Sequence, residues 1–212
     1  MKILITAGPT WEPIDAVRYL GNRSSGRMGL AITQAALVAG HQVTLLAGPG
    51  VPVETVTDAH ATVHRFESAS QLLELMQTHF PNADLLFMAA AVADYTPMHE
   101  VKGKLPRQND GTLSITLKPT PDLVATIAKT KQPHQRVIAF ALEQPDVLVK
   151  RATEKLLKKK VDAIIANPLK TMGADDIEPT WLQPDGQKLS PGVMTKTKCA
   201  AWLLQQAQGL FE

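Results

Sequence analysis

The stretch Arg18-Tyr-Leu-Gly-Asn-Arg-Ser-Ser-Gly-Arg-Met-Gly29 sets three arginines and three glycines among small polar residues, directly ahead of an apolar run. Met28, Leu30, Ala31, Ile32, Ala35 and Ala36 give that run a helical period. Residue types in this order suit anion binding. Gly21, Gly26 and Gly29 admit close backbone approach or positive φ, and Ser24 or Ser25 supplies a helix N-cap. The unpaired N–H groups of a first helical turn would then face a phosphate or carboxylate, with Arg18, Arg23 and Arg27 adding positive charge. The plainer alternative is a capped helix with solvated arginines.

Standard nucleotide and metal motifs fail on their chemistry. Gly21-x-x-x-x-Gly26-Arg27-Met28 has P-loop glycine spacing, but it lacks the Lys that meets phosphates and the Ser/Thr that meets magnesium. Gly8-Pro-Thr-Trp-Glu-Pro13 stands where a dinucleotide fingerprint needs G-x-G-x-x-G, so bound NAD is not expected. No pair among the six histidines has metal-ligand spacing, and no G-x-S-x-G elbow is present.

Holding an anion loop in place calls for strands that end at loops, and the chain alternates strand and helix patterns. Lys2 to Ala7 reads as a strand stopped by Gly8-Pro9, and a helix follows over about residues 25–40. His41 to Ala47 is a strand closed by Gly48-Pro49-Gly50, and Thr62 to Phe66 a third. Ser70 to about Phe80 is an amphipathic helix with Leu72, Leu73, Leu75 and Met76 inward; Asp84 to Ala91 is the most hydrophobic strand. Residues 94–121 break the pattern. Lys102, Lys104 and Arg107 precede an Asn109-Asp110-Gly111 turn signal and the alternating Leu113 to Lys118, which reads as a mobile flap with an extended arm, about 95–121. Asp122 caps a helix to about Lys129, Arg136 to Ala141 is a strand, and Val147 to Lys160 a helix bearing Lys150, Arg151, Lys155, Lys158, Lys159 and Lys160. Asp162 to Ala166 is the last parallel strand, stopping at Asn167-Pro168; a hairpin at Pro184-Asp-Gly186 and a helix from about Thr195 follow. This is an α/β pattern: a doubly wound, mostly parallel sheet with helices on both faces, with ligands beyond the strand ends at Gly8, Ala47 and Ala90.

Composition adds bounds. With 212 residues, 44% hydrophobic and 20% charged, the chain is expected to form a single domain over 1–212 with a full core. A net charge of +2 announces no nucleic acid. No apolar run reaches the roughly 18 residues of a membrane span, and Met1-Lys2 leads into Ile-Leu-Ile-Thr without a signal-peptide layout. Cys199, the single cysteine, sits in an apolar helical run and reads as core. A reducing, cytoplasmic location fits.

Three blocks carry a family resemblance. Thr6-Ala-Gly-Pro-Thr-Trp-Glu-Pro-Ile-Asp15, Val17-Arg-Tyr-Leu-Gly-Asn-Arg-Ser-Ser-Gly-Arg-Met-Gly29 and Ala89-Ala-Ala-Val-Ala-Asp-Tyr95 are similar to the signature blocks of phosphopantothenoylcysteine synthetases, or phosphopantothenate–cysteine ligases. The likeness runs almost end to end and suggests the stand-alone form, without a flavin decarboxylase domain. It implies a modified Rossmann-like fold, a homodimer, and a ligase of coenzyme A biosynthesis. In that family's bacterial branch phosphopantothenate attacks CTP to give an acyl-cytidylate and pyrophosphate, and L-cysteine then displaces CMP. A separate phosphopantothenoylcysteine decarboxylase would act downstream. Mg²⁺ is implied by the triphosphate, with no nameable protein ligand and no flavin.

By the same resemblance Asn22 holds the acyl-nucleotide, Arg18 is a neighbouring active-site arginine, and Lys104 is the flap lysine. Gly21, Ser24, Ser25 and Gly26 form the phosphate loop. Ala89, Ala90, Asp94, Lys104, Pro121, Asp122, Leu123, Val124, Phe140, Lys155 and Lys159 meet the nucleotide. The flap departs from the family's Lys-x-Lys-Lys, reading Lys104-Leu-Pro-Arg107, and Leu142-Glu143-Gln144 replaces Ala-Glu-Thr. ATP in place of CTP, or a non-catalytic nucleotide-binding domain, remain the alternative readings.

Overall fold

Strand and helix alternate in a computed structural model of the chain, which describes residues 1–107 and 111–212. In chain order the first half gives β1 (Lys2–Ala7), β2 (Trp11–Pro13), β3 (Tyr19–Gly21), α1 (Arg27–Val38), β4 (Gln42–Ala47), β5 (Ala61–Arg65), α2 (Ala69–His79) and β6 (Leu85–Met88). The second half gives β7 (Tyr95–Pro97), β8 (Leu117–Pro119), α3 (Leu123–Ala128), β9 (Arg136–Glu143), α4 (Leu148–Lys159), β10 (Ala163–Pro168), β11 (Asp176–Ile177), β12 (Thr180–Leu182), β13 (Lys188–Leu189), β14 (Met194–Thr195) and α5 (Lys196–Gln208).

Eight strands make the main sheet, in the order β13-β12-β10-β9-β6-β1-β4-β5. The six from β5 to β10 pair in parallel, and β12 and β13 add an antiparallel edge. Winding proceeds outward from β1 to β5, then restarts at β6 on the other side of β1. The carboxyl ends of β1 and β6 are therefore the switch point of the sheet, where such folds open a ligand crevice.

Alternate strand residues point to opposite faces, and each face is covered by helices. Leu4, Leu86, Val137 and Ile164 pack under α2, α3 and α4 with Leu72, Met76, Ile127 and Leu156. Ile3, Ile5, Phe87, Ile138 and Ile165 pack under α1 and α5 with Ile32, Ala36, Leu203 and Ala207. Burying a Leu or Ile side chain of this kind contributes about 1.5–3 kcal/mol, so both faces are strongly driven. Gly29 brings α1 onto β1. A Cβ there would lie 2.5 Å from that of Ala7 and 3.0 Å from its Cα. Cys199 is fully buried on the α5 side, and burial pushes its thiol up to about 12. No helix among the described residues is long and apolar enough to cross a membrane.

The region from 94 to 121 is less regular than its alternation suggests. Among the described residues it holds two short strands, Tyr95–Pro97 and Leu117–Pro119, paired antiparallel, and the Met98 N–H extends the pairing to the Thr116 carbonyl at 2.9 Å. Leu113, Ile115 and Leu117 are exposed, so the alternation has no buried face to serve. Of the turn signal, Asn109 and Asp110 lie outside the described residues.

Candidate active site

Beyond Ala7 and Met88 the chains of β1 and β6 stay zipped together. The Ala91 N–H donates to the Gly8 carbonyl at 2.9 Å and the Thr10 N–H to the Ala91 carbonyl at 3.2 Å. Thr6 and Thr10 lock the same crossing from their side chains, their hydroxyls accepting from the Ala90 and Ala93 N–H groups at 3.0 Å each. Onto this platform Asn22 docks. Its amide nitrogen donates to the carbonyls of Ala91 at 3.2 Å and Val92 at 3.0 Å. Carbonyls only accept, so chemistry fixes the orientation of the amide and leaves its Oδ1 as the group offered outward. An amide can both donate and accept, and here the donor side of Asn22 is taken up by the platform carbonyls, which leaves the acceptor side for a ligand.

The loop before α1 also differs from expectation. Neither Ser24 nor Ser25 caps the helix: Gly26 is the N-cap, left-handed at φ 70°, with no side-chain cap. Ser24 instead accepts the Gly26 N–H through its hydroxyl at 3.4 Å. A Cβ on Gly26 would stand 2.6 Å from Val51 Cγ2, and the left-handed φ already disfavours one. The result is a helix start whose first N–H groups have no side-chain acceptor, which suits an anion better than a serine cap does.

Two cavities meet over this platform. One, of about 610 Å³, is lined by Gly21, Asn22, Ser24, Ser25, Gly26, Ala89 and Ala90, together with Asn167, Lys196, Arg23 and Arg27. The other, of about 300 Å³, is lined by Asp94, Pro121, Asp122, Leu123, Val124 and Lys159. Ala90, Ala91 and Phe140 line both and form their shared wall. Asp122 caps α3 through the Ala125 N–H at 3.0 Å and holds Lys159 at 3.0 Å. Burial pushes the Asp122 carboxyl upward, but the Ala125 N–H and Lys159 outweigh it and hold it below the usual range.

Three expected site residues fall outside these cavities. Lys155 shares a helix face with Lys159, yet its ammonium binds Glu143 at 2.6 Å, because β9 runs on past Ala141 and carries Glu143 beneath it. Arg151 takes the other Glu143 oxygen at 3.1 Å, and Lys155 foremost holds that carboxyl below its usual range. Arg18 faces a different cleft of about 930 Å³, lined also by Trp11, Tyr19 and Pro119. Its guanidinium is held by Asp15 at 2.8 Å and reaches the Leu105 carbonyl at 3.4 Å. Burial pushes the Asp15 carboxyl up, while N–H groups of Val17, Leu105 and Arg18 and the Arg18 charge bring it below its ordinary value. Lys104 is exposed, one residue from this anchor, and lines neither cavity. Asp15 therefore ties the base of the flap to the β2–β3 hairpin through the Leu105 N–H at 3.0 Å.

Asn167 and Lys196 belong to the larger cavity and were not singled out from sequence. Asn167 is only 5% exposed and its Oδ1 has no partner among the described residues. A polar residue at the end of an all-apolar parallel strand is the signal that could have found it. Lys196 carries no local signal, since it opens an ordinary helix.

Comparison with known proteins agrees with this geometry. The DNA/pantothenate metabolism flavoprotein C-terminal domain family matches residues 1–210. A cysteine/cysteine sulfinic acid decarboxylase from an unknown prokaryotic organism is 40% identical over 173 residues, 82% of this chain and 47% of that protein. The coenzyme A biosynthesis bifunctional protein CoaBC of Vibrio vulnificus strain YJ016 is 37% identical over 99% of this chain and 52% of its own length. The chain thus spans about half the length of the curated relatives it matches. Among solved structures, the C-terminal domain of a CoaBC protein superposes with a TM-score of 0.82 at 34% identity, covering 99% of this chain and 94% of that one. The DNA/pantothenate metabolism flavoprotein of Streptococcus pneumoniae gives 0.84 at 27%, covering 99% of both. Sheet order, the platform at the β1–β6 switch point and a match over nearly the whole chain lead to one conclusion: the chain belongs to the DNA/pantothenate metabolism flavoprotein C-terminal domain family.

Proposed function

We propose that this chain is a phosphopantothenate–cysteine ligase that activates its acid substrate with CTP through an acyl-cytidylate. The observation that carries the reading is the pair of cavities sharing the Ala90–Ala91–Phe140 wall. One presents an acceptor-tipped Asn22 and an uncapped helix start, the other a Lys159–Asp122 pair beside the Phe140 ring. Nucleotide in the smaller cavity and acid in the larger one would bring the carboxylate to the α-phosphorus at their common wall.

In the first step a carboxylate oxygen attacks that phosphorus and the bond to the β-phosphate breaks, releasing pyrophosphate. In the second the cysteine amine attacks the acyl carbon, the carbon–oxygen bond to the nucleotide breaks, and CMP leaves while nitrogen gives up a proton to solvent. The protein's part is positioning and charge stabilisation. Asn22 Oδ1 accepts an N–H of the incoming amine and aims its lone pair at the acyl carbon. Lys104, on the flap, neutralises the departing pyrophosphate. Arg18, directed into the other cleft, reaches this chemistry only by a movement of its hairpin or from a partner copy. Magnesium carried by the triphosphate would find the Asp94 carboxylate in the smaller cavity. Among the described residues no group of three or more His, Cys, Asp and Glu could cage such an ion, so the phosphates and water would supply most of its ligands.

The test is pyrophosphate release with phosphopantothenate, L-cysteine and each of the four nucleoside triphosphates. Pyrophosphate and CMP with CTP are expected. CDP plus phosphate would overturn the acyl-cytidylate, and release with ATP at equal or greater efficiency would overturn the choice of base.

A further inference from the structure

Arg27 and Lys196 are the first residues of α1 and α5, two helices packed on the same face of the sheet. A cation in the first turn opposes the helix dipole, and neither helix carries an acidic residue there to offset it. Both side chains line the larger cavity with Arg23, and no carboxylate among the described residues lines it. Their present partners are modest for such charges. Arg27 pairs with Asp175 at 2.6 Å, but both side chains are more than half exposed. Lys196 donates to the Ala174 carbonyl, and burial together with the Arg27 charge pushes its pKa down. Asn167, buried in the same cavity with an unpartnered Oδ1, independently marks it as completed by a ligand.

The ligase reading, on which this inference rests, orients that ligand. Its carboxylate must stand at the Ala90–Ala91–Phe140 wall, so its phosphate, at the opposite end of the molecule, extends away from the nucleotide. Arg27 and Lys196 line only the larger cavity and not the shared wall. We propose that Arg27 and Lys196 form a clamp for the phosphomonoester of the acid substrate, with Asp175 holding the Arg27 guanidinium until that phosphate displaces it. An amide or hydroxyl donor along the same substrate would satisfy Asn167.

Steady-state kinetics and calorimetric titration with phosphopantothenate and with pantothenate, for the wild type and for Arg27→Gln, Lys196→Gln and Asp175→Asn, test the clamp. Charge-assisted hydrogen bonds of this kind predict a rise of roughly 10- to 100-fold in KM and Kd for phosphopantothenate in each cation variant. The preference over pantothenate should fall by the same factor, with kcat and the KM for CTP within a few-fold of wild type. Asp175→Asn should tighten phosphopantothenate several-fold by removing the competing carboxylate. Unchanged phosphopantothenate binding in a folded Arg27→Gln, whose side chain is half exposed and safe to alter, would overturn the clamp. So would a wild type that does not prefer phosphopantothenate, or a rise confined to the KM for CTP. Titration without nucleotide separates the two readings: phosphate-selective binding that depends on both cations but yields no ligated product would sink the ligase reading and leave the clamp standing.

Discussion

Both amide hydrogens of Asn22 are committed to carbonyls of the β6 extension, which makes this side chain structural and chemical at once. Asn22→Asp would set a carboxylate against two carbonyl oxygens and remove the acceptor's neutral partner. Turnover is expected to fall at least roughly 100-fold, mainly in transfer to cysteine, on the scale of losing one positioned group in an active site. Loss of two exposed hydrogen bonds adds about 1–2 kcal/mol of destabilisation. Single-turnover CMP release and thermal unfolding, measured together, separate the effects; a full loss of stability with normal activity in the folded fraction would make Asn22 purely structural. Lys104 presents the opposite case. It is exposed, one residue from the Asp15 anchor, and its side chain makes no hydrogen bond or ion pair among the described residues, so Lys104→Gln should leave the unfolding midpoint unchanged while lowering turnover roughly 100-fold. Unchanged turnover would remove the flap lysine from the mechanism.

Helices reach this site through close packing on strands, and α1 depends on one glycine to do so. Gly29→Ala drives a methyl into Ala7 at the end of β1, an overpacking that costs about 1–3 kcal/mol, and the shifted helix start should weaken nucleotide-dependent turnover as well. Chemical denaturation checks the first part; a neutral substitution would mean that α1 has slack. Element ends also set the pH response. Asp15, Asp122 and Glu143 all sit below their ordinary values of 3.8 and 4.5, so the stability they contribute is present above those values and is lost as pH falls through the folded ones. His41 and His79, pushed below 6.5 chiefly by burial, favour the neutral form in the fold. The unfolded chain therefore protonates first, and stability begins to fall as pH drops below about 6.5. Midpoints measured from pH 8 to 2 should show both declines, and His79→Gln should flatten the upper one. The parallel strands and the helices were legible in the sequence because period and apolar content fix them locally. The Asp122 cap was legible for the same reason. What was not legible depended on side-chain partnerships that period and apolar content do not encode, whether across a hairpin or across the chain. Glu143 captures Lys155 only because β9 overruns its expected end, Arg18 turns to Asp15 within its own hairpin, and Lys196 meets Arg27 across 169 residues of chain.

For the molecule as a whole, the β2–β3 hairpin leaves Val17 and Tyr19 exposed, and the segment from β7 to β8 leaves Tyr95, Met98, Leu113, Ile115 and Leu117 exposed. A second copy of the chain would cover such apolar side chains, and the dimer expected of the family makes this the place to test. Sedimentation at twice the 23.0 kDa chain mass is expected, with Ile115→Asp shifting the protein to monomer; a monomeric wild type would discard the pairing. A last consequence follows from the thiol sealed beneath α5. A ligase of this kind would work in the presence of free cysteine, whose oxidised form exchanges with any accessible thiolate. Cys199, at about 12 and fully buried, has essentially no thiolate to offer at neutral pH, so it would form no mixed disulfide with the cysteine that the proposed reaction consumes. The same seal makes Cys199 an internal clock: a thiol reagent should label it only when α5 leaves the sheet, and the labelling rate then reads out opening of the fold.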